Sequence, residues 1–294
     1  MDEQAGDGRR SALDRGALVA LAVGLVGAAW WLRRDGLGPH ALYIDDAWVA
    51  LGSLKEHWYA VPTRGLTAPG FSVLLRPFLH VGGTGSSTAA QLPAFVVGCA
   101  TPAVVLLVLR ERGVRWTIAA GAGVLLVFSP VHIRNSYAVK QYAFDTLLVV
   151  VILWLAWCLL EDGYSRRRWN QLLALSCASV AFSFQTAVPA AVAIGLVLLR
   201  VRRSPDRRWI AATAAATAAF CALVFGLIVV PLMSEQLQEF WDEQYIDVGS
   251  GSMEAVRSVR TALSNVLIGL VFEQWRILAV AGGIRPKRLY AIKE

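Results

Sequence analysis

The sequence predicts an all-α polytopic membrane protein: about eight transmembrane helices, with a long first extracytoplasmic loop carrying interfacial helices. Three observations predict it. Hydrophobic residues make up 56% of the 294, charged residues only 17%, and the mean hydropathy is +0.52, whereas soluble domains carry about 25% charged residues. Apolar runs near the length needed to cross a bilayer, about 20 residues, recur along the chain. The 28 Lys and Arg lie in short clusters between those runs, as in multi-span membrane proteins, so the net charge of +7 gives no case for a nucleic-acid partner. This composition excludes a disordered chain, a disulfide-stapled secreted domain and a typical cytosolic enzyme. Cys99, Cys158, Cys177 and Cys221 lie inside apolar runs without metal-binding spacing, as buried membrane cysteines do.

The spans are predicted near 13–32, 89–109, 116–133, 142–160, 170–185, 187–200, 209–232 and 262–280. The first follows Arg9, Arg10 and Arg15. It reads as an anchor, because Trp30-Trp31-Leu32-Arg33-Arg34 follows it where a signal peptide has small residues. The two short spans around Pro189 form one hairpin or a broken helix. With the N-terminus in the cytoplasm, eighteen Lys and Arg fall in inside segments and nine outside, the bias expected of a plasma or inner membrane protein. Segment 66–83 tests that count. Arg76-Pro77 sits at its centre, and a centred Arg costs about 2.5–3.5 kcal/mol on insertion scales. Counting it as a span also puts nineteen basic residues outside and seven inside. It is therefore expected to lie on the outer face as an interfacial or re-entrant helix.

A single transmembrane domain over 1–294 follows, with a first outer loop at 34–88, a second large one at 233–261 and no soluble C-terminal domain. Long loops in compact domains are usually functional. In the first, Trp48, Leu51 and Leu54 have helical spacing, so a short helix is expected to begin near Asp46. Asp45 then serves as its N-cap, with Asp46 in the first turn, where the helix dipole favours a carboxylate. The same pair can serve as a general base or metal ligand at the membrane surface. Thr67-Ala68-Pro69-Gly70 precedes the interfacial helix, with Pro69 at its first turn. His40, His57, His80 and His132 have no ligand spacing. In 233–261, Trp241, Asp242 and Tyr245 belong either to a cap over the site or to an interfacial helix.

Beyond Ser129-Pro130, Arg134, Lys140 and Asp145 fall at the outer interface. Tyr137, Lys140, Gln141 and Phe144 stand at i, i+3, i+4 and i+7, one face of a continuous helix. A polar face turned into a bundle is expensive unless it lines a polar cavity. Lys140 with Tyr137, and Arg134 as a second cation if the chain before Tyr137 is not helical, can bind a phosphate; snorkelling in an aromatic belt is the structural alternative.

The ordered set is an anchor span, the acidic pair, T-x-P-G before an interfacial helix, Leu92-Pro93 opening a span, Ser129-Pro130 ending one, then S-x-x-x-K-x-Y at Ser136, Lys140 and Tyr142. Over residues 13–162 this resembles the GT-C membrane glycosyltransferases, closest to bacterial relatives of protein O-mannosyltransferases and lipid A aminoarabinose transferases. The resemblance implies sugar transfer from a polyprenyl-phosphate donor, entering from membrane lipid, to an extracytoplasmic hydroxyl of a glycan, lipid or protein, with inversion. It implies Asp45 as the base toward the acceptor, Asp46 as its acidic neighbour, Pro69 at the family's proline motif, and Lys140 and Tyr142 at its basic and tyrosine positions; Thr67 and Gly70 flank Pro69 in the candidate substrate loop, and Arg134 and Tyr137 join Lys140 and Tyr142 as candidates around the donor phosphate. Some members use a divalent metal ion and others none. Ala138 and Gln91 depart from the pattern, standing where relatives often have Glu and Arg. The rival class is a non-catalytic transporter or a lipid-binding or scaffold protein, against which stand the scarcity of central acids in the spans and the lack of an inverted repeat.

Overall fold

The computed structural model describes residues 2–38, 42, 44–54, 68–83, 86–201, 206–224 and 226–227. The chain divides into two compact units, Met1–Leu232 and Met233–Glu294. The expected outer loop at 233–261 and span at 262–280 lie outside the described residues. Ten helices are described: α1 (Asp2–Arg33), α2 (Ile44–Ser53), α3 (Pro69–Gly82), α4 (Ser87–Glu111), α5 (Trp116–Phe128), α6 (Pro130–Tyr137), α7 (Tyr142–Glu161), α8 (Arg166–Phe182), α9 (Ala187–Val201) and α10 (Arg207–Val224). No strand occurs among the described residues.

Among the described residues, four stretches are long and apolar enough to cross a membrane: Asp14–Gly36, Ser87–Glu111, Tyr142–Glu161 and Phe184–Val201. The α5–α6 pair makes a fifth if its bent halves are one broken span. The expected spans at 170–185 and 209–232 correspond to α8, only 17 residues and opened by three arginines, and to α10, rich in Ala and Thr. Within the described residues neither is as long and apolar as the four, and residues 228–232 of the second lie outside them.

Two apolar cores organise the helices. Leu25, Ala29, Phe95, Cys99, Leu106, Ala119 and Val127 join α1, α4 and α5. Ile152, Leu155, Leu159, Trp169, Leu172, Val197 and Ile210 join α7, α8, α9 and α10. Small residues set the close approaches, as is usual where apolar burial alone cannot drive helices together. A Cβ on Gly123 would stand 2.7 Å from the Leu25 side chain and 3.2 Å from the Pro102 carbonyl.

The helix ends follow local chemistry. Ser86 caps α4 by accepting from the Ala89 N–H at 3.2 Å, and Ser129 caps α6 by accepting from the His132 N–H at 3.3 Å. Gly113 and Gly163, at φ of +74° and +91°, turn the chain between α4 and α5 and between α7 and α8. Pro69 stands first in α3, as expected. Pro189 is not itself the break around which two spans were placed. It sits in the first turn of α9, and the break is a short 3-10 turn at Phe184–Thr186.

The span expected at 116–133 is broken instead. α5 and α6 meet at 58°. Pro130 has no N–H to give the Leu126 carbonyl four residues back, and Ser129 is extended at φ −65°, ψ 116°. The last carbonyls of α5 are therefore open.

Candidate functional site

One end of the bundle collects the segments that sequence analysis singled out. Val49 and Ala50 of α2, Phe71, Leu75 and Leu79 of α3, Ala90 of α4 and Val139 between α6 and α7 form one buried cluster, with Leu42, Leu54, Phe144 and Phe182 packed on it. Phe144 lies edge-on to Phe71 at 5.7 Å and stacks on Phe182 at 6.1 Å. Gly70 lets α3 reach the end of α8: a Cβ there would stand 2.9 Å from the Ala181 carbonyl oxygen.

The acidic helix is not built as its spacing suggested. α2 begins at Ile44, so Asp45 and Asp46 both fall in its first turn and Asp45 is not the N-cap. The inward face is Asp46, Val49, Ala50 and Ser53, all buried. Trp48 and Leu51 point outward, 69% and 61% exposed. The reason is steric: small Val49 and Ala50 let α2 lie against α3, and the bulky pair turns to the surface, where a bilayer interface accepts Trp. Asp46 thus stands on the packed face. The Asp45 side chain and Thr67 lie outside the described residues, as do His40 and His57.

The continuous polar helix at 137–144 is overturned. α6 stops at Tyr137, Ala138 is extended at φ −71°, ψ 140°, and α7 starts at Tyr142. Tyr137, Lys140, Gln141 and Phe144 therefore do not share one helix face. Burying Val139 in the cluster wins over helix continuation, and it leaves half-buried Lys140 beside the cluster with its ammonium 5.7 Å from the centre of the Tyr142 ring. Tyr137 packs on Gly36, where a Cβ would meet its Cδ1 at 2.5 Å. Arg134 is exposed, on the face of α6 opposite buried His132 and Ser136. The segments that carry Asp46, Pro69 and Gly70, and Lys140 and Tyr142, thus each contribute residues to one cluster, while Arg134 and Tyr137 belong to α6 and its contact with the chain after α1.

Asp145, in the first turn of α7, faces Ser183 at the end of α8. Asp145 Oδ1 and the Ser183 hydroxyl are buried without a well-formed hydrogen bond. Gln91 is buried and accepts from the Gly38 N–H at 3.4 Å, while the Ser87 hydroxyl donates to the Gly38 carbonyl at 3.0 Å. That position holds the chain leaving α1 rather than a charge.

Arg33 was counted only as a loop cation, yet it is fully buried. Its Nε donates to the Ser136 hydroxyl at 3.0 Å, its Nη1 to the Ala29 and Val127 carbonyls at 3.1 and 3.3 Å, and its Nη2 to the Leu126 carbonyl at 3.2 Å. Ser136 in turn donates to the His132 carbonyl at 2.6 Å, and His132 Nε2 lies 3.2 Å from the Gly98 carbonyl. Arg33 thus supplies the donors that Pro130 removes from the end of α5, and negative partial charge there suits a cation. The sequence signal was Ser129-Pro130 itself: a proline inside an apolar run orphans a carbonyl that some donor must satisfy.

No three His, Cys, Asp or Glu side chains converge on a common point among the described residues. The fold is that of an all-helical chain of membrane type, with an acidic helix, a proline-led helix and a lysine connector at one end. No protein-family model, curated protein or solved structure matches the chain.

Proposed function

We propose that the protein is an integral membrane glycosyltransferase that moves a sugar from a polyprenyl-phosphate donor to an extracytoplasmic hydroxyl, with the N-terminus cytoplasmic. The carrying observation is convergence: α2 with its acidic pair, α3 opened by Pro69 and Gly70, and the Lys140 connector, far apart in sequence, pack on one cluster. In this reading the acceptor oxygen forms a bond to the anomeric carbon as the bond from that carbon to the phosphate oxygen breaks. The hydroxyl proton passes to the carboxylate pair, and the electron pair of the broken bond leaves on the phosphate. A single displacement of this kind inverts the anomeric centre. Lys140 offsets the charge growing on the phosphate, the step where a fixed cation is worth most. The sequence resemblance assigns Asp45 as the base; buried Asp46 on the packed face of α2 supports a role for the pair.

The test is a transfer assay in membranes with a panel of polyprenyl-phosphate sugars. Asp45→Asn keeps the shape of the side chain but cannot take a proton, and general-base catalysis is worth about 10²–10⁴-fold. We expect Asp45→Asn to lose turnover with folded protein retained, and Lys140→Ala to weaken donor use more than Lys140→Arg. Loss confined to Asp46→Asn would move the base by one residue. Full activity in both Asn variants would refute the carboxylate mechanism, and transport unaffected by them would favour a transporter.

A further inference from the structure

The opposite end of the bundle carries a compact basic surface that the proposed chemistry does not use. α8 opens with Arg166-Arg167-Arg168 and α10 with Arg207-Arg208-Trp209. The two starts are fixed side by side: the Trp169 indole N–H donates to the Thr213 hydroxyl at 2.9 Å, and the Arg166 guanidinium stacks 4.5 Å from the Trp209 ring centre. Arg168 is occupied by Asp162 at 2.6 Å. Arg166, Arg167, Arg207 and Arg208 are exposed and take part in no ion pair among the described residues. Asp206 is the nearby carboxylate, sensed by Tyr164 together with Arg166, and it is itself engaged. The local balance is strongly positive.

An apolar track leads away from this cluster. Trp209, Phe220 and Leu223, separated by eleven and then three residues, share one face of α10 and are 43%, 48% and 57% exposed. From Trp209 to Leu223 the helix rises about 21 Å, the length of a fatty acyl chain. Four guanidinium groups suit phosphate oxygens, which Arg binds through paired N–H donors. Stacking on Trp209 uses the face of Arg166 and leaves its edge for those oxygens.

We infer that the starts of α8 and α10 bind an anionic phospholipid, its phosphate held by Arg166, Arg167, Arg207 and Arg208 and one acyl chain along Trp209, Phe220 and Leu223. The acyl track selects a lipid over free phosphate. The site is independent of glycosyl transfer and stands whether or not that reading does.

The test is native mass spectrometry of the full-length protein released from vesicles of phosphatidylcholine mixed with diphosphatidylglycerol, scoring which lipid is retained. An arginine near an anionic surface contributes about fivefold in binding. Arg207→Gln/Arg208→Gln should therefore lower retention of the anionic lipid roughly twenty-fivefold, and Arg207→Lys/Arg208→Lys should keep most of it. Arg115→Gln, an exposed arginine at the start of α5, should change it little. Trp209→Ala should weaken retention with every arginine in place. Unchanged retention in the double Gln variant, an equal loss in Arg115→Gln, or displacement of the lipid by inorganic phosphate alone would each overturn the proposal.

Discussion

The two ends of this bundle are fastened by opposite means. At the candidate-site end, a buried guanidinium satisfies open backbone carbonyls, and an apolar cluster locks α2 and α3 down. At the other end, beside the buried core around Trp169, the charged fastenings lie near the surface. Arg112 grips Asp162 through two contacts of 3.1 Å, Arg168 joins at 2.6 Å, and Arg110 stacks 4.2 Å from the Trp116 ring. Exposed pairs compete with water and salt and contribute little, whereas buried donors and acceptors have no substitute partner when one is lost. The difference teaches which polar contacts are hardest to replace: the buried donors at the bend of α5–α6, rather than the ion pairs at the arginine-rich end.

The sharpest way to break that contrast is at its apolar side. Phe71 is fully buried and meets Phe144, so Phe71→Ala should cost about 3–5 kcal/mol, read as a fall in thermal unfolding temperature in detergent. A cost no larger than that of an exposed substitution such as Leu51→Ala would remove the cluster from its role. Next comes Arg33→Met. It relieves the burial of a cation but leaves the Leu126 and Val127 carbonyls and the Ser136 hydroxyl without their donor. If the open carbonyls dominate, the variant loses about 2 kcal/mol; a stabilised variant would show that charge burial dominates. The smallest effect belongs to Asp162. Its hydrogen bonds to Arg112 and Arg168 hold its carboxyl below the ordinary carboxylate range. The stability it adds is complete above the ordinary value of about 3.9 and is lost as pH falls through the folded value. Asp162→Asn should therefore differ slightly from the parent at neutral pH and converge with it in acid, and high salt should shrink the difference.

Hydropathy made the helical class, the anchor and the helices at 87–111 and 142–161 legible, because a bilayer demands long apolar runs. Pro69 and the helix it opens were legible because proline at a first turn has few other readings. What escaped was whatever depends on neighbours distant in sequence. The start of α2 was placed two residues late, and its buried face, through Asp46, Val49, Ala50 and Ser53, is set by packing on α3, which spacing alone does not show. The helical face through Lys140 failed because Val139 is drawn into a cluster whose other members lie in α2, α3 and α4. Arg33 escaped because three of its four acceptors lie 93 to 103 residues away.

That separation also has a consequence in time. A ribosome delivers Arg33 with the first apolar helix, long before Leu126, Val127 and Ser136 exist. At 5–20 residues per second the wait is roughly 5–20 s, during which Arg33 is one more cation trailing an inserted helix, its head free to stay with water. Only when α5 and α6 have been made do its acceptors from those helices exist. The bend is therefore closed late in biogenesis, and the lysine connector that follows it in the chain takes its position only after the first helix has been waiting in the membrane.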